Sequence, residues 1–98
     1  MARLKWTEQA TNDLKNIFDF ISNDSKHYAF LYISKIRNKC SILKSYPLIG
    51  RVVPEFDLHN VRELIMGNYR IIYKIVDNNQ IDILSIFHSS RNLNDTTI

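Results

Sequence analysis

The stretch Val61-Arg62-Glu63-Leu64-Ile65-Met66-Gly67-Asn68-Tyr69-Arg70-Ile71-Ile72-Tyr73-Lys74-Ile75-Val76 decides how the chain folds. Val61 to Met66 is β-like, and Gly67-Asn68 is a tight-turn dipeptide. After the turn, Tyr69, Ile71, Tyr73 and Ile75 alternate with Arg70, Ile72, Lys74 and Val76. A period of two puts the two sets on opposite faces of a strand. Asp77-Asn78-Asn79 turns the chain again, and the isoleucine-rich run Gln80 to His88 reads as a further strand. Three strands joined by two short turns make an antiparallel meander.

Before Gly50 the apolar period is 3.6. Leu4 to Trp6 is a short segment suited to an edge strand, and Thr7 reads as an N-cap, with Glu8 in the first turn where the helix dipole favours an acid. Ala10, Leu14, Ile17 and Ile21 follow at spacings of 4, 3 and 4, with Phe18 beside them, which predicts an amphipathic helix over about 8–21. Ser22-Asn23-Asp24-Ser25 breaks the pattern, and Asp24 or Ser25 can cap the next helix. Ala29, Ile33, Ile36, Cys40 and Leu43, spaced 4, 3, 4 and 3, predict a second helix over about 26–45, ended by Pro47. Neither layer can bury its apolar side alone, so the helical hairpin must cover the sheet. The expected fold is α+β: an N-terminal strand, then an antiparallel helical hairpin packed on an antiparallel β-meander. The 98 residues are expected to form a single domain, with 92–98 a polar, frayed tail.

Composition narrows the function classes. Hydrophobic residues make up 45% and charged residues 23%, the balance of a soluble globular domain, and bulk disorder is excluded. No apolar run approaches the roughly 20 residues of a membrane span, and the N-terminus has no apolar core of signal-peptide type. Cys40, the single cysteine, cannot form an internal disulfide, in keeping with a cytoplasmic location, and its place on the apolar stripe makes it a core residue. The glycine-rich cofactor motifs and HExxH are missing, so no cofactor is expected. His27, His59 and His88 are far apart and show no ligand spacing, so no metal site is expected.

Two groups of residues could carry function. Residues 1–49 hold eight Lys/Arg against four Asp/Glu, a balance of +4, whereas 50–98 hold five against six, a balance of −1. Within the basic half, Lys26, Lys35, Arg37, Lys39 and Lys44 occupy a stretch without an acid, suited to a phosphate backbone or an acidic protein partner, or else simply a solvated helix face. The second group is Arg62, Arg70, His88 and Arg91, on or beside the strands. Clustered on one open sheet face, three guanidiniums and an imidazole would hold a phosphate and move a proton. The competing reading pairs Arg70 with Glu63 or Asp82 across strands. Tyr28, Tyr32 and Tyr46 flank the helical stripe as packing residues, and Tyr69 and Tyr73 share a core face with Ile71 and Ile75.

Taken together, Trp6-Thr7-Glu8, the helical hairpin, Tyr46-Pro47-Leu48-Ile49-Gly50-Arg51, the Arg62-to-Ile75 block and His88-Ser89-Ser90-Arg91 resemble the RelE/ParE superfamily of toxins from bacterial type II toxin–antitoxin modules. The resemblance covers about residues 3–93. It implies a cognate antitoxin whose segment wraps the toxin along the hairpin and the sheet. Such segments are often acidic, which suits the Lys35–Lys44 face.

The resemblance also implies one of two activities. RelE-like members cleave mRNA in the ribosomal decoding site, and ParE-like members poison DNA gyrase without chemistry of their own. The RelE pattern has lysines on the first meander strand, where Val61, Arg62 or Glu63 stands here, and a tyrosine near the C-terminus, where this chain reads RNLNDTTI. An always-charged arginine is a poor replacement for a lysine that must take up a proton. Arg70 with His88 resembles the pair in a histidine-using nuclease branch, whose glutamate base would have to be Glu55 or Glu63, neither a clear match. The long hairpin, the Tyr46-to-Arg51 turn and the missing lysines look more like the ParE branch. Gyrase is therefore the expected target. The alternative is a ribosome-dependent mRNA interferase using Arg70, His88 and Arg91, with Arg62 in support.

Overall fold

The structure, a computed structural model, describes residues 1–89. In chain order the elements are β1 (Arg3–Trp6), α1 (Glu8–Ser22), α2 (Lys26–Ser41), a 3-10 turn (Ile42–Lys44), β2 (Arg51–Val52), β3 (Val61–Met66), β4 (Tyr69–Asp77) and β5 (Gln80–His88). The strands form one five-stranded sheet in the order β1-β5-β4-β3-β2. The expected meander is β3-β4-β5, antiparallel throughout. Gly67 takes φ +56, a left-handed conformation that suits glycine, at the first position of the two-residue turn between β3 and β4. β1 lies along the free edge of β5 and runs parallel to it, Arg3 opposite Gln80 and Trp6 opposite Ile83, so the whole sheet is mixed.

Both helices start as their caps dictate. The Thr7 hydroxyl accepts from the Ala10 N–H and reaches the carbonyls of Ile83 and Leu84, so one residue caps α1 and docks it on β5. The Ser25 hydroxyl accepts from the Tyr28 N–H. The second helix is shorter than its spacing predicts. It stops at Ser41 and tightens into the 3-10 turn, which keeps Leu43 fully buried while the Lys44 carbonyl accepts from the Ala2 N–H.

The principal core lies between the hairpin and the sheet. Ala10, Leu14 and Ile17 of α1 and Ile36 and Cys40 of α2 meet Leu64, Ile71, Tyr73, Ile81, Ile83 and Ile86. Two partners absent from the sequence reading hold α1 to β5. Asp13 is buried, and its carboxylate accepts from the Ile86 N–H and from the Gln9 amide. The pairing of β4 with β5 slips between Ile72 and Tyr73, leaving Leu84 as the extra residue whose carbonyl meets Thr7.

The other sheet face is not the open polar surface that was expected. The segment from Val53 to Asn60 folds across it, and Val53, Val61, Ile72 and Phe87 form a second apolar cluster with Phe56 and Leu84. Two-residue β2 starts that segment, too short for any alternation to reveal.

Candidate functional site

Arg70 stands on the face covered by the 53–60 segment, and both of its sides are occupied. Its Nε donates to Glu63 Oε1, while Nη1 and Nη2 donate to the two oxygens of Glu55 at 2.8 and 3.0 Å. Glu63, whose side chain is fully buried, also accepts from Arg51 Nε. The register explains this grouping. Arg51 lies directly opposite Glu63, and Arg70, opposite Ile65, is its diagonal neighbour on the same face. Of the two cross-strand partners foreseen for Arg70, Glu63 is the one used, whereas Asp82 lies opposite Lys74 and Lys5. Glu55 arrives from the covering segment. The hydrogen bonds from Arg70 hold its carboxyl down at about 2, and the Glu55 and Glu63 bonds raise Arg70 further, so the charged forms persist.

The grouping of Arg62, Arg70 and His88 on one face is not formed. Arg62 lies opposite Tyr73 and His88 opposite Tyr69, and both tyrosines pack against the helix-side core. Residues opposite one another share a face, so Arg62 and His88 belong to the helix side while Arg70 belongs to the other. The reason is the pleat itself: Arg70 is one residue from Tyr69. Arg62 is engaged with the backbone, donating from Nη1 to the Gly50 carbonyl at 2.9 Å and from Nε to the His59 carbonyl at 3.2 Å. His88 is exposed and meets the Tyr69 ring edge-on, with centroids 5.5 Å apart. Arg91 and the 92–98 tail lie outside the described residues.

The basic stretch on α2 divides as well. Arg37 lies over the Trp6 ring, 5.5 Å from its centroid, and Arg37 and Lys44 line a cleft beside β1. Lys35 and Lys39 stand about 160–200° round the helix from Arg37, so these cations do not form one face. Cys40 is fully buried, and burial pushes its thiol up to about 12, as expected of a core residue. Tyr73 is buried and Tyr69 half-buried in the core, but Tyr28 and Tyr46, expected as packing residues, are mostly exposed. Among the described residues, no group of three or more His, Cys, Asp or Glu is arranged to hold a metal, and no helix is long and apolar enough to cross a membrane.

Exposed apolar side chains include several on the hairpin and several in the loop before β2. On the hairpin, Phe20, Tyr28, Phe30 and Leu31 are exposed, and Phe30 meets Phe18 edge-on. In the loop before β2, Tyr46, Leu48 and Ile49 are exposed. Tyr73 fixes that loop, its hydroxyl donating to the Pro47 carbonyl at 2.6 Å and accepting from the Gly50 N–H at 3.0 Å. A Cβ at position 50 would come within 2.5 Å of the Glu63 carbonyl oxygen and 2.6 Å of the Tyr73 hydroxyl, so only glycine fits.

The family model described as "ParE toxin of type II toxin-antitoxin system, parDE" matches residues 4–93. The chain belongs to the ParE toxin family. Its fold agrees: a chain of the structure titled "Chromosomal ParDE TA system from P. aeruginosa" is 25% identical to this ParE-family chain, with a TM-score of 0.73 over 90% of this chain and 96% of that one. No curated protein matches the chain. Membership of a type II toxin–antitoxin family implies an antitoxin partner for this ParE-family protein. The missing lysines and the long hairpin had pointed to this branch. The role of Glu55 was hidden, because only the return of the 53–60 segment over the sheet brings it to Arg70.

Proposed function

We propose that this ParE-family toxin arrests growth in the cytoplasm by binding and poisoning DNA gyrase, and that its antitoxin neutralises it by covering exposed apolar surface. The observation that carries the reading is the engagement of Arg70. An RNA-cleaving mechanism needs cations free to hold the scissile phosphate beside a group that moves a proton. Here Arg70 is committed to two carboxylates that repel a phosphate, and His88 stands on the opposite face. A contact-based mechanism needs surface instead, and exposed apolar side chains on the hairpin, among them Phe20, Phe30 and Leu31, and on the Tyr46–Ile49 loop supply it.

The test is a supercoiling assay with purified gyrase, relaxed plasmid and increasing toxin. Loss of supercoiling or accumulation of cleaved DNA is expected, and His88→Ala should inhibit as wild type does. Transcript 5′ ends mapped within minutes of induction should be unchanged. New ends spread through translated frames, with gyrase unaffected at high molar excess, would replace this reading with the interferase.

A further inference from the structure

The chain between the 3-10 turn and β2 is anchored along its length. Tyr73, the largest fully buried side chain among the described residues, gives its hydroxyl to the Pro47 carbonyl and takes the Gly50 N–H. Arg62 Nη1 donates to the carbonyls of Leu48 and Gly50, at 3.4 and 2.9 Å. The backbone also closes on itself: the Tyr46 N–H donates to the Ile42 carbonyl at 2.9 Å and the Ile49 N–H to the Tyr46 carbonyl at 3.2 Å. A segment so fixed nevertheless presents large apolar side chains to water. Tyr46 is 65% exposed, Leu48 62% and Ile49 57%. A connector needs only satisfied backbone groups, and polar or small residues serve for that. Apolar side chains held still in solvent add nothing to the isolated fold, whereas a binding surface gains from them, because the ordering was completed when the chain folded. A shallow hollow of about 390 Å³ lies among them, lined by Ser45, Tyr46, Pro47, Leu48 and Ile49.

The flanking charge narrows the partner. Lys44 and Arg51, both exposed, bracket the loop, and no acid occurs from Ser25 to Pro54. Arg51 gives its Nε to Glu63, yet its side chain stays mostly exposed. We infer that this loop is where the toxin docks on gyrase, which must offer an apolar side chain for the hollow and carboxylates near Lys44 and Arg51. The inference rests on the gyrase reading and narrows it from a whole surface to residues 44–51. A short rigid projection suits a preformed site on a folded partner, whereas an antitoxin segment that wraps the toxin needs a groove or an open strand edge.

Full-length toxin is titrated against gyrase holoenzyme in the supercoiling assay. Leu48→Ala/Ile49→Ala should raise the concentration for half inhibition by about tenfold or more. Phe20→Ala/Leu31→Ala, which removes exposed apolar side chains from the two helices, should raise it by less than about twofold. Lys44→Glu should weaken inhibition more than Lys35→Glu, which places the same charge elsewhere on the basic stretch. Thermal melts of every variant confirm that the fold is retained. Wild-type toxin without effect on supercoiling would remove gyrase itself as the target. Wild-type-like inhibition by Leu48→Ala/Ile49→Ala, or equal losses in the two double variants, would overturn the loop and leave the target standing. Loss of binding to the co-expressed cognate antitoxin by Leu48→Ala/Ile49→Ala, with gyrase inhibition intact, would assign the loop to the antitoxin instead.

Discussion

Glu63 is a buried carboxylate whose two oxygens are each claimed by an arginine, and the two arginines differ in burial. The Arg51 side chain is 64% exposed and the Arg70 side chain 11%. Removing one member of a buried ion pair strands the other charge away from water, at a cost of about 3–5 kcal/mol, whereas an exposed partner contributes less than about 1 kcal/mol. Glu63→Ala should therefore lower the urea-unfolding free energy severalfold more than Arg51→Ala. Glu55 adds a pH dependence. Its carboxyl sits at about 2 in the folded chain, below the ordinary value of 4.5, so its stabilising effect is complete above about pH 4.5 and fades as the pH falls towards 2. The stability gap between wild type and Glu55→Gln should accordingly be constant near neutrality and narrow across that acid window in thermal melts. Glu55 also shows the limit of reading residues singly. Its chemistry was visible in the sequence, but a partner fifteen positions away, across a loop with no periodic signal, was not.

Individual elements are joined by single polar side chains at points that apolar patterning does not mark. Asp13 is the clearest case, since its carboxylate satisfies the Ile86 N–H, two residues past the bulge at Leu84. Asp13→Ala would leave a buried donor unpaired, and a loss of about 1–3 kcal/mol is expected, with faster amide exchange at Ile86 as its local signature. Asp13→Asn, which keeps an acceptor, should recover part of it. The Tyr46–Gly50 loop depends on Tyr73 in the same way, through one hydroxyl that serves both ends. Tyr73→Phe should cost about 1–3 kcal/mol and weaken any binding that uses Leu48 or Ile49. The stripes at 3.6 and the alternation at 2 were legible because they are local. Asp13 sits beside Leu14 on the helix and reads as an ordinary polar residue until the docking of α1 beside the Ile86 N–H is known.

Across the whole molecule, the sheet is covered twice, by helices on one face and by a loop on the other. The helix layer carries the larger share of the core, so Ile36→Ala, at a fully buried position between the layers, should destabilise by about 2–5 kcal/mol in chemical unfolding. Leu31→Ala, at an exposed position of the same helix, should shift stability by no more than about 0.5 kcal/mol. If the antitoxin docks on the hairpin around Leu31, that second variant should still bind it more weakly. The fold class and the helix-side core were readable because burying two apolar faces leaves few arrangements. The dispersal of Arg62, Arg70 and His88 was not, because a shift of one position along a strand moves a side chain to the other face.

The parallel pairing of β1 with β5 joins residues near the start of the chain to residues some 77 positions later, Arg3 beside Gln80. A nascent chain emerging from the ribosome can form its helical hairpin early, because those contacts are local. It has no place to lodge β1 until β5 has been made, and long loop closure of this kind is the slow part of folding. The five-stranded sheet is thus complete only after β5 has been made, and an antitoxin present during synthesis would have an interval in which to meet the toxin before that sheet has closed.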